Sequence, residues 1–176
     1  MQLTGSMRGF ILHWGEMGAR WGVNRSVAQV HALLHLSPRP LPAEEIAETL
    51  SLARSNVSTA IKELQGWKLI KVSRELGDRR DHFTSVEDTI ELVRLVIEGR
   101  HAREYAPTLE AVRALAATAR GDTETPDDVT ARITETCAVM EMFDEFYQQI
   151  ARLPRPAQLA ILRSGAKLAS LIPSQS

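Results

Sequence analysis

Two helical patterns joined by a very short link constrain this chain more than any other feature of its sequence. Apolar residues recur at helical spacing over residues 42–50 and again over about residues 54–66. The link Ser51-Leu52-Ala53 is so short that the two helices must cross steeply, and Ala47 is small where they must approach each other closely. The pattern therefore predicts a helix-turn-helix unit.

The second of these helices has two contrasting faces. Its apolar stripe follows a helical period and consists of Val57, Ala60, Ile61, Leu64 and Trp67. The opposite face carries short hydroxyl groups, an amide and cations in place of the Glu and Lys pairs usual on a solvated helix: Arg54, Ser55, Asn56, Ser58, Thr59 and Lys62. Such groups bond phosphate oxygens and base edges without steric bulk, and a helix N-terminus favours a phosphate. We therefore expect the helix at about 54–66 to read the major groove of double-stranded DNA.

A β-hairpin is predicted directly after this helix pair. Residues 69–74 alternate and are rich in β-branched side chains, and residues 82–86 form a second strand-like run. Gly77 lies in the turn at 75–81, where it allows the chain to reverse.

Arginines make this hairpin a second candidate DNA contact. Arg74, Arg79 and Arg80 are expected to reach the phosphate backbone or a narrow minor groove, and Asp78 is expected to hold a neighbouring arginine in a fixed direction. Residues 54–82 hold seven Lys and Arg against four Asp and Glu, in a chain whose net charge is −1. A local basic field on an acidic body is typical of a groove-facing surface.

The order of these elements resembles the MarR superfamily of bacterial repressors, which are winged helix-turn-helix proteins. The resemblance covers about residues 8–120 and rests on Gly66-Trp67-Lys68-Leu69-Ile70 followed by Gly77-Asp78-Arg79-Arg80-Asp81-His82-Phe83. The start of the chain, with Trp14-Gly15-Glu16 and Arg20-Trp21-Gly22, is similar to the GbsR branch of that superfamily.

This resemblance implies partners for the chain. It implies a homodimer formed by the N- and C-terminal helices, a repressor role at a pseudo-palindromic operator, and a wing in which Asp78 and Arg79 or Arg80 orient the DNA contact. The GbsR branch is associated with choline-type effectors, so Trp14, Trp21 and Tyr105 form a candidate effector pocket. Ordinary packing is the alternative role for these aromatic side chains.

Helical patterns also fill the rest of the chain. The first is expected at 7–22, with Gly22 at its end, and the second runs to Leu36 after a cap at Asn24 or Ser26. The proline-rich stretch 37–42 interrupts the helices, and Pro42 suits the first turn of the next one. Later helices are expected at 87–119 with a candidate kink at Pro107, at 127–153 and at about 156–171. The side chains expected to face inward on the helix at 127–153 are Val129, Ile133, Val139 or Met140, Phe143, Phe146 or Tyr147, and Ile150.

The expected fold class is therefore mainly α with a small β-wing. Residues 1–23 are interpreted as a supporting and dimerisation helix, residues 24–86 as the winged helix-turn-helix DNA-binding domain, and residues 87–176 as a helical dimerisation region.

Other kinds of site lack the residues that they need. The single Cys137 indicates a reducing, cytoplasmic location, and its apolar neighbours favour a buried inert thiol over a redox sensor. His31 and His35 are spaced like zinc ligands but lack the accompanying glutamate, so no metal is expected. The sequence contains no recognisable group of catalytic residues and no cofactor motif, so we do not expect an enzyme. It contains no apolar run long enough to span a bilayer, so we do not expect a membrane protein. The rival hypothesis is a winged-helix module that binds another protein.

Overall fold

The computed structural model describes residues 1–169, without the side chains of Leu162 and residues 165–169. The chain divides into two compact units, of which the first is Met1–Arg100 and the second begins at His101. The described part is mostly helical with one small sheet, so the predicted class, mainly α with a β-wing, is confirmed. The elements of the first unit are α1 (Gly5–Arg20), α2 (Arg25–Leu36), β1 (Leu41–Pro42), α3 (Ala43–Leu50), α4 (Arg54–Gly66), β2 (Ile70–Arg74), β3 (Asp81–Ser85) and α5 (Thr89–Arg100).

Helices α1 and α2 approach each other closely because glycine faces the contact. A Cβ at Gly18 would lie 2.6 Å from the Cβ of Ala28, so a side chain there would force the helices apart. Of the two predicted caps for α2, Asn24 is the one used, and its side chain accepts a hydrogen bond from the Ser26 N–H at 2.9 Å. Gly22, in the loop between these helices, has a φ of +78°, which glycine adopts without strain.

The sheet has three antiparallel strands in the order β1-β3-β2. The hairpin β2–β3 was predicted to within one residue at each end, with Ile70 opposite Ser85 and Arg74 opposite Asp81. Strand β1 was missed, because a proline-rich run predicts only an interruption. Pro42 lies in this short edge strand and precedes α3 as its N-cap residue, rather than lying in the first helical turn.

The core of the first unit centres on α2. Leu33 and Leu34 of α2 pack with Leu41, Ile46 and Val57, all of which are 1% exposed or less. Helices α3 and α4 therefore pack their apolar sides on α2, and this arrangement fixes which side of α4 remains open to solvent.

The second unit begins with a π-helical turn at His101–Tyr105, followed by α6 (Ala106–Gly121), α7 (Asp127–Arg152) and α8 (Arg155–Ala169). The π-helical turn ends two residues before Pro107, which cannot donate the usual backbone hydrogen bond and crowds the carbonyl four residues earlier. The helix therefore has a widened, π-helical turn beside Pro107, where the sequence predicted a kink. The last two residues predicted for the final helix, 170 and 171, lie outside the described residues.

The prediction for the buried face of α7 was wrong in part. Val129 and Phe143 were expected to face inward but are exposed, Phe143 to 57%. Of the two alternative pairs, Val139 and Phe146 are exposed, whereas Met140 and Tyr147 are partly buried. Helical periodicity shows that a face is apolar, but it does not show which neighbour covers it. Cys137 is buried, as predicted, at 5% exposure. Every helix within residues 1–169 is too short or too polar to cross a bilayer.

Candidate nucleic-acid interface

Helix α4 presents its polar face to solvent. Val57, Ala60, Ile61 and Leu64 are buried at 5% exposure or less. The six polar residues singled out on this helix are all exposed: Arg54, Ser55, Asn56, Ser58, Thr59 and Lys62. The structure therefore brings these residues together on one accessible surface, which we call the α4 polar face.

The turn before α4 is held by backbone hydrogen bonds. The Leu52 N–H donates to the Ala47 carbonyl at 2.9 Å and the Ser51 N–H donates to the Glu48 carbonyl at 3.3 Å. Ser51 has a φ of +53°, in the left-handed region that a non-glycine residue seldom adopts. Because α3 ends in this hydrogen-bonded turn, the angle between the axes of α3 and α4 is fixed.

The N-terminus of α4 lacks the features that normally satisfy a helix start. Its N-cap residue, Ala53, has no side chain that can accept a hydrogen bond, and its first turn carries no acidic residue. By comparison, Thr4 caps α1, and α3 carries Glu44 and Glu45 in its first turn. The N–H groups at the start of α4 have no intrahelical partner, so an external anion would satisfy them.

The tip of the hairpin is organised by Asp78. This carboxylate accepts hydrogen bonds from the Arg80 backbone N–H at 3.0 Å and from Arg80 Nη2 at 2.6 Å. The Arg80 guanidinium, followed by that backbone N–H, holds the pKa of Asp78 well below its usual range. Gly77, with a φ of +87°, allows the turn, and the buried His82 lies with Nδ1 3.1 Å from the Arg80 carbonyl oxygen. The arginine that Asp78 holds in a fixed direction is therefore Arg80.

The three arginines of the hairpin differ in how their charge is compensated. Arg74 Nε donates to Asp81 Oδ1 at 3.0 Å, and Arg80 is paired with Asp78. Arg79 is exposed and makes no ion pair with any described residue. Arg79 is therefore the hairpin arginine most available to an incoming anion.

An acidic cavity beside Arg80 was not found from the sequence. It has a volume of about 480 Å³, and its lining includes Glu44, Glu48, Glu75, Asp78 and Arg80. These carboxylates come from α3 and from the hairpin tip, which the fold brings together although they are far apart in sequence. The negative potential of these carboxylates partly offsets the positive charge of Arg80. This is a second difference between Arg80 and Arg79.

The three aromatic residues proposed for an effector pocket have separate surroundings. Trp14 is half-buried and stacks on Phe10 with ring centres 5.3 Å apart. Trp21 is 60% exposed and Tyr105 donates its hydroxyl hydrogen to the Met140 carbonyl at 2.8 Å. The contacts described for these three side chains therefore differ from one residue to the next.

A buried histidine links α2 to the sheet. His31 Nε2 lies 3.3 Å from the Ser85 hydroxyl, and its ring stacks on that of His35 at 6.1 Å. Burial, followed by the charge of His35, lowers the pKa of His31 to about 4. No group of three or more potential metal ligands occurs among residues 1–169.

Comparison with known proteins gives a partial match to one family and a similar fold. Residues 16–81 match the model of the MarR family, while no curated protein sequence matches the chain. The crystal structure of a transcriptional regulator is similar with a TM-score of 0.56 at 18% identity, over 83% of this chain and 95% of that one. A MarR family regulator from Rhodococcus sp. RHA1 gives a TM-score of 0.38 at 19% identity, over 74% and 84% of the two chains. An S. aureus MepR mutant bound to an oligodeoxyribonucleotide gives 0.39 at 15% identity, over 80% and 90%.

Proposed function

We propose that this chain is a DNA-binding transcriptional regulator of the MarR family that acts as a homodimer. In this proposal the α4 polar face enters the major groove, and the arginines of the hairpin contact the backbone or the minor groove. The observation that carries it is the start of α4, which is exposed, uncapped and free of acidic residues, whereas α1 has a capping threonine and α3 has two glutamates in its first turn. A phosphate placed there would satisfy the free N–H groups and face Arg54.

The rival function is the binding of a protein partner. None of the large exposed apolar residues of the described chain lies on α4, whereas a protein-docking helix would carry them. Two exposed apolar residues of the hairpin, Val72 and the fully exposed Leu76, favour the binding of a protein partner. They lie in the segment that also carries Arg74, Arg79 and Arg80, and this cationic setting fits DNA better than an apolar protein surface.

The dimer is proposed because the single chain leaves a large apolar surface open. In the second unit, the exposed apolar residues of α6 and α7 are Leu115, Val129, Val139, Met142, Phe143 and Phe146. A second copy that covered such residues would remove them from water. A dimer would place two recognition helices about one turn of DNA apart, roughly 34 Å, and would read a pseudo-palindromic operator.

Further parts of the proposal concern regulation. We assign the chain to the GbsR-like branch on its first helix, and we propose that it is a cytoplasmic repressor without enzymatic activity. An effector would act by favouring one of two separations of the recognition helices. Trp14 and Trp21 of the first unit and, separately, Tyr105 of the second unit are proposed as effector contacts, because aromatic faces hold quaternary ammonium groups.

A salt titration tests the DNA-binding proposal. A duplex selected from a random pool should bind the purified protein with two chains per duplex, and log affinity should fall linearly with log salt concentration. Arg79→Ala should weaken binding to all duplexes alike. It should also reduce the steepness of the slope of log affinity against log salt concentration by about 1. Arg120→Ala, which removes an exposed arginine of α6, should leave affinity and slope unchanged.

Two results would count against this proposal. Failure of the pool to enrich any sequence, with no binding at low salt, would remove the DNA-binding function. Unchanged affinity and slope in the double variant Arg79→Ala, Arg80→Ala would remove the hairpin from the interface.

A further inference from the structure

The end of α5 contacts the C-terminal ends of two other helices of the first unit. A Cβ at Gly99 would lie 2.5 Å from Cε3 and 2.6 Å from Cζ3 of Trp67, so the indole lies directly on the glycine. Trp67 is the C-cap residue of α4. The next residue, Arg100, donates from Nη2 to the carbonyl oxygen of Trp21 at 2.7 Å, and Trp21 is the C-cap residue of α1.

Gly99 has a specific steric reason to be glycine. Glycine in a helix interior is unfavourable because it loses more backbone freedom on folding than any other residue. At position 99 the indole occupies the volume that a Cβ would need, and the atoms that it would meet belong to a rigid ring rather than to the end of a flexible side chain. Any larger residue at this position must therefore move Trp67 or α5.

Trp67 is in turn tied firmly to α4. Its N–H donates to the Glu63 carbonyl at 3.0 Å, and the Lys68 N–H donates to the Gln65 carbonyl at 2.9 Å. Lys68 has a φ of +59°, which turns the chain sharply towards β2. Because these bonds hold the Trp67 backbone to α4, a displacement that the indole passes to its backbone moves the last turn of α4 and is not absorbed by a flexible loop.

We propose that Gly99 is a positioning residue for DNA reading, acting through Trp67 to set the orientation of α4. This inference rests on the proposed function of the α4 polar face. Trp67 has the largest side chain of the apolar stripe of α4 and lies at the end opposite to Ser55. Because α4 is a rigid rod of about 20 Å, a shift at its C-terminal end tilts the polar face relative to the groove.

Gly99→Ala tests the proposal. At a temperature where the protein is folded, the variant should bind its selected duplex about tenfold more weakly than wild type. Trp67→Leu removes the ring carbons that a Cβ at position 99 would meet. Adding Gly99→Ala to Trp67→Leu should therefore cost no further affinity, a rescue that a general loss of stability would not produce.

Gly18→Ala and Gly9→Ala are matched controls. Gly18→Ala creates a clash of the same severity, with the Cβ of Ala28 at 2.6 Å, but between α1 and α2, whereas a Cβ at Gly9 meets nothing within 4 Å. Gly18→Ala should lower the melting temperature and leave the affinity of the folded protein within about twofold of wild type. Gly9→Ala should raise the melting temperature slightly, because alanine is favoured over glycine in a helix, and leave the affinity unchanged.

The outcomes separate this inference from the proposed function. If wild type binds a selected duplex and Gly99→Ala binds equally well, the positioning role is wrong while the DNA-binding function stands. An equal loss of affinity in Gly18→Ala and Gly99→Ala would also overturn it. If Gly99→Ala does not fold, Trp67→Leu decides, because loss of the indole should weaken binding about fivefold and wild-type affinity would contradict the proposal. If wild type binds no duplex, the proposed function itself fails.

Discussion

Replacing Ser55 by Glu is expected to weaken DNA binding about a hundredfold or more without lowering the stability of the protein. Ser55 is exposed in the first turn of α4, which carries no acidic residue. A carboxylate there interacts favourably with the helix dipole, which contributes about 0.3–1 kcal/mol to stability. The same carboxylate would face the phosphates of a bound duplex, where juxtaposed like charges cost several kcal/mol. Stability and affinity should therefore change in opposite directions.

Ser6→Glu provides a closely matched control. Ser6 is exposed and is the second residue of α1, as Ser55 is the second residue of α4, so the substitution and its place in the helix are the same. Affinity measured by fluorescence anisotropy should fall only for Ser55→Glu. An equal affinity for the two variants would show that the start of α4 does not approach DNA.

Acidification should destabilise the fold through His31. Its pKa in the folded protein is about 4, below the ordinary value of 6.5, because the ring is buried and next to His35. The unfolded chain therefore takes up a proton more readily than the folded one, and the stability present above pH 6.5 is lost as the pH falls towards 4. Between pH 7 and pH 5 this effect amounts to about 2 kcal/mol in the free energy of unfolding.

Urea unfolding at the two pH values measures this effect. His31→Gln keeps a polar group near Ser85 but cannot be protonated, so its free energy of unfolding should depend less on pH by about 2 kcal/mol. His13→Gln, which changes an exposed histidine of α1, should behave like wild type. If His31→Gln retains the full pH dependence, another group is responsible for it.

The helix-turn-helix and the hairpin could be predicted because their signals are local. The period of the apolar residues on α4, the short link at Ser51 and the alternation of β2 depend only on neighbouring positions in the sequence. The same is true of the α4 polar face, since the buried stripe of a helix defines its opposite side. The structure confirms that all six polar residues of α4 are exposed.

The features that sequence did not reveal all depend on contacts between distant segments. Strand β1 exists because Leu41 pairs with Phe83, and the proximity of Glu44 to Arg80 follows from the same packing. The exposed Phe143 was expected to be inside, because periodicity cannot show whether a neighbouring element covers an apolar face. Gly99 carried no sequence signal beyond being a glycine within a helix, and only the position of Trp67 explains it.

The central claim is that the α4 polar face and the hairpin tip contact one duplex at the same time. Cys137 is buried, so single cysteines introduced as Ser58→Cys and Leu76→Cys can be labelled selectively, with the exposed Thr123→Cys as control. A saturating selected duplex should slow labelling at positions 58 and 76 and leave position 123 unchanged. Labelling at either of the first two positions at the rate of the free protein would contradict the claim.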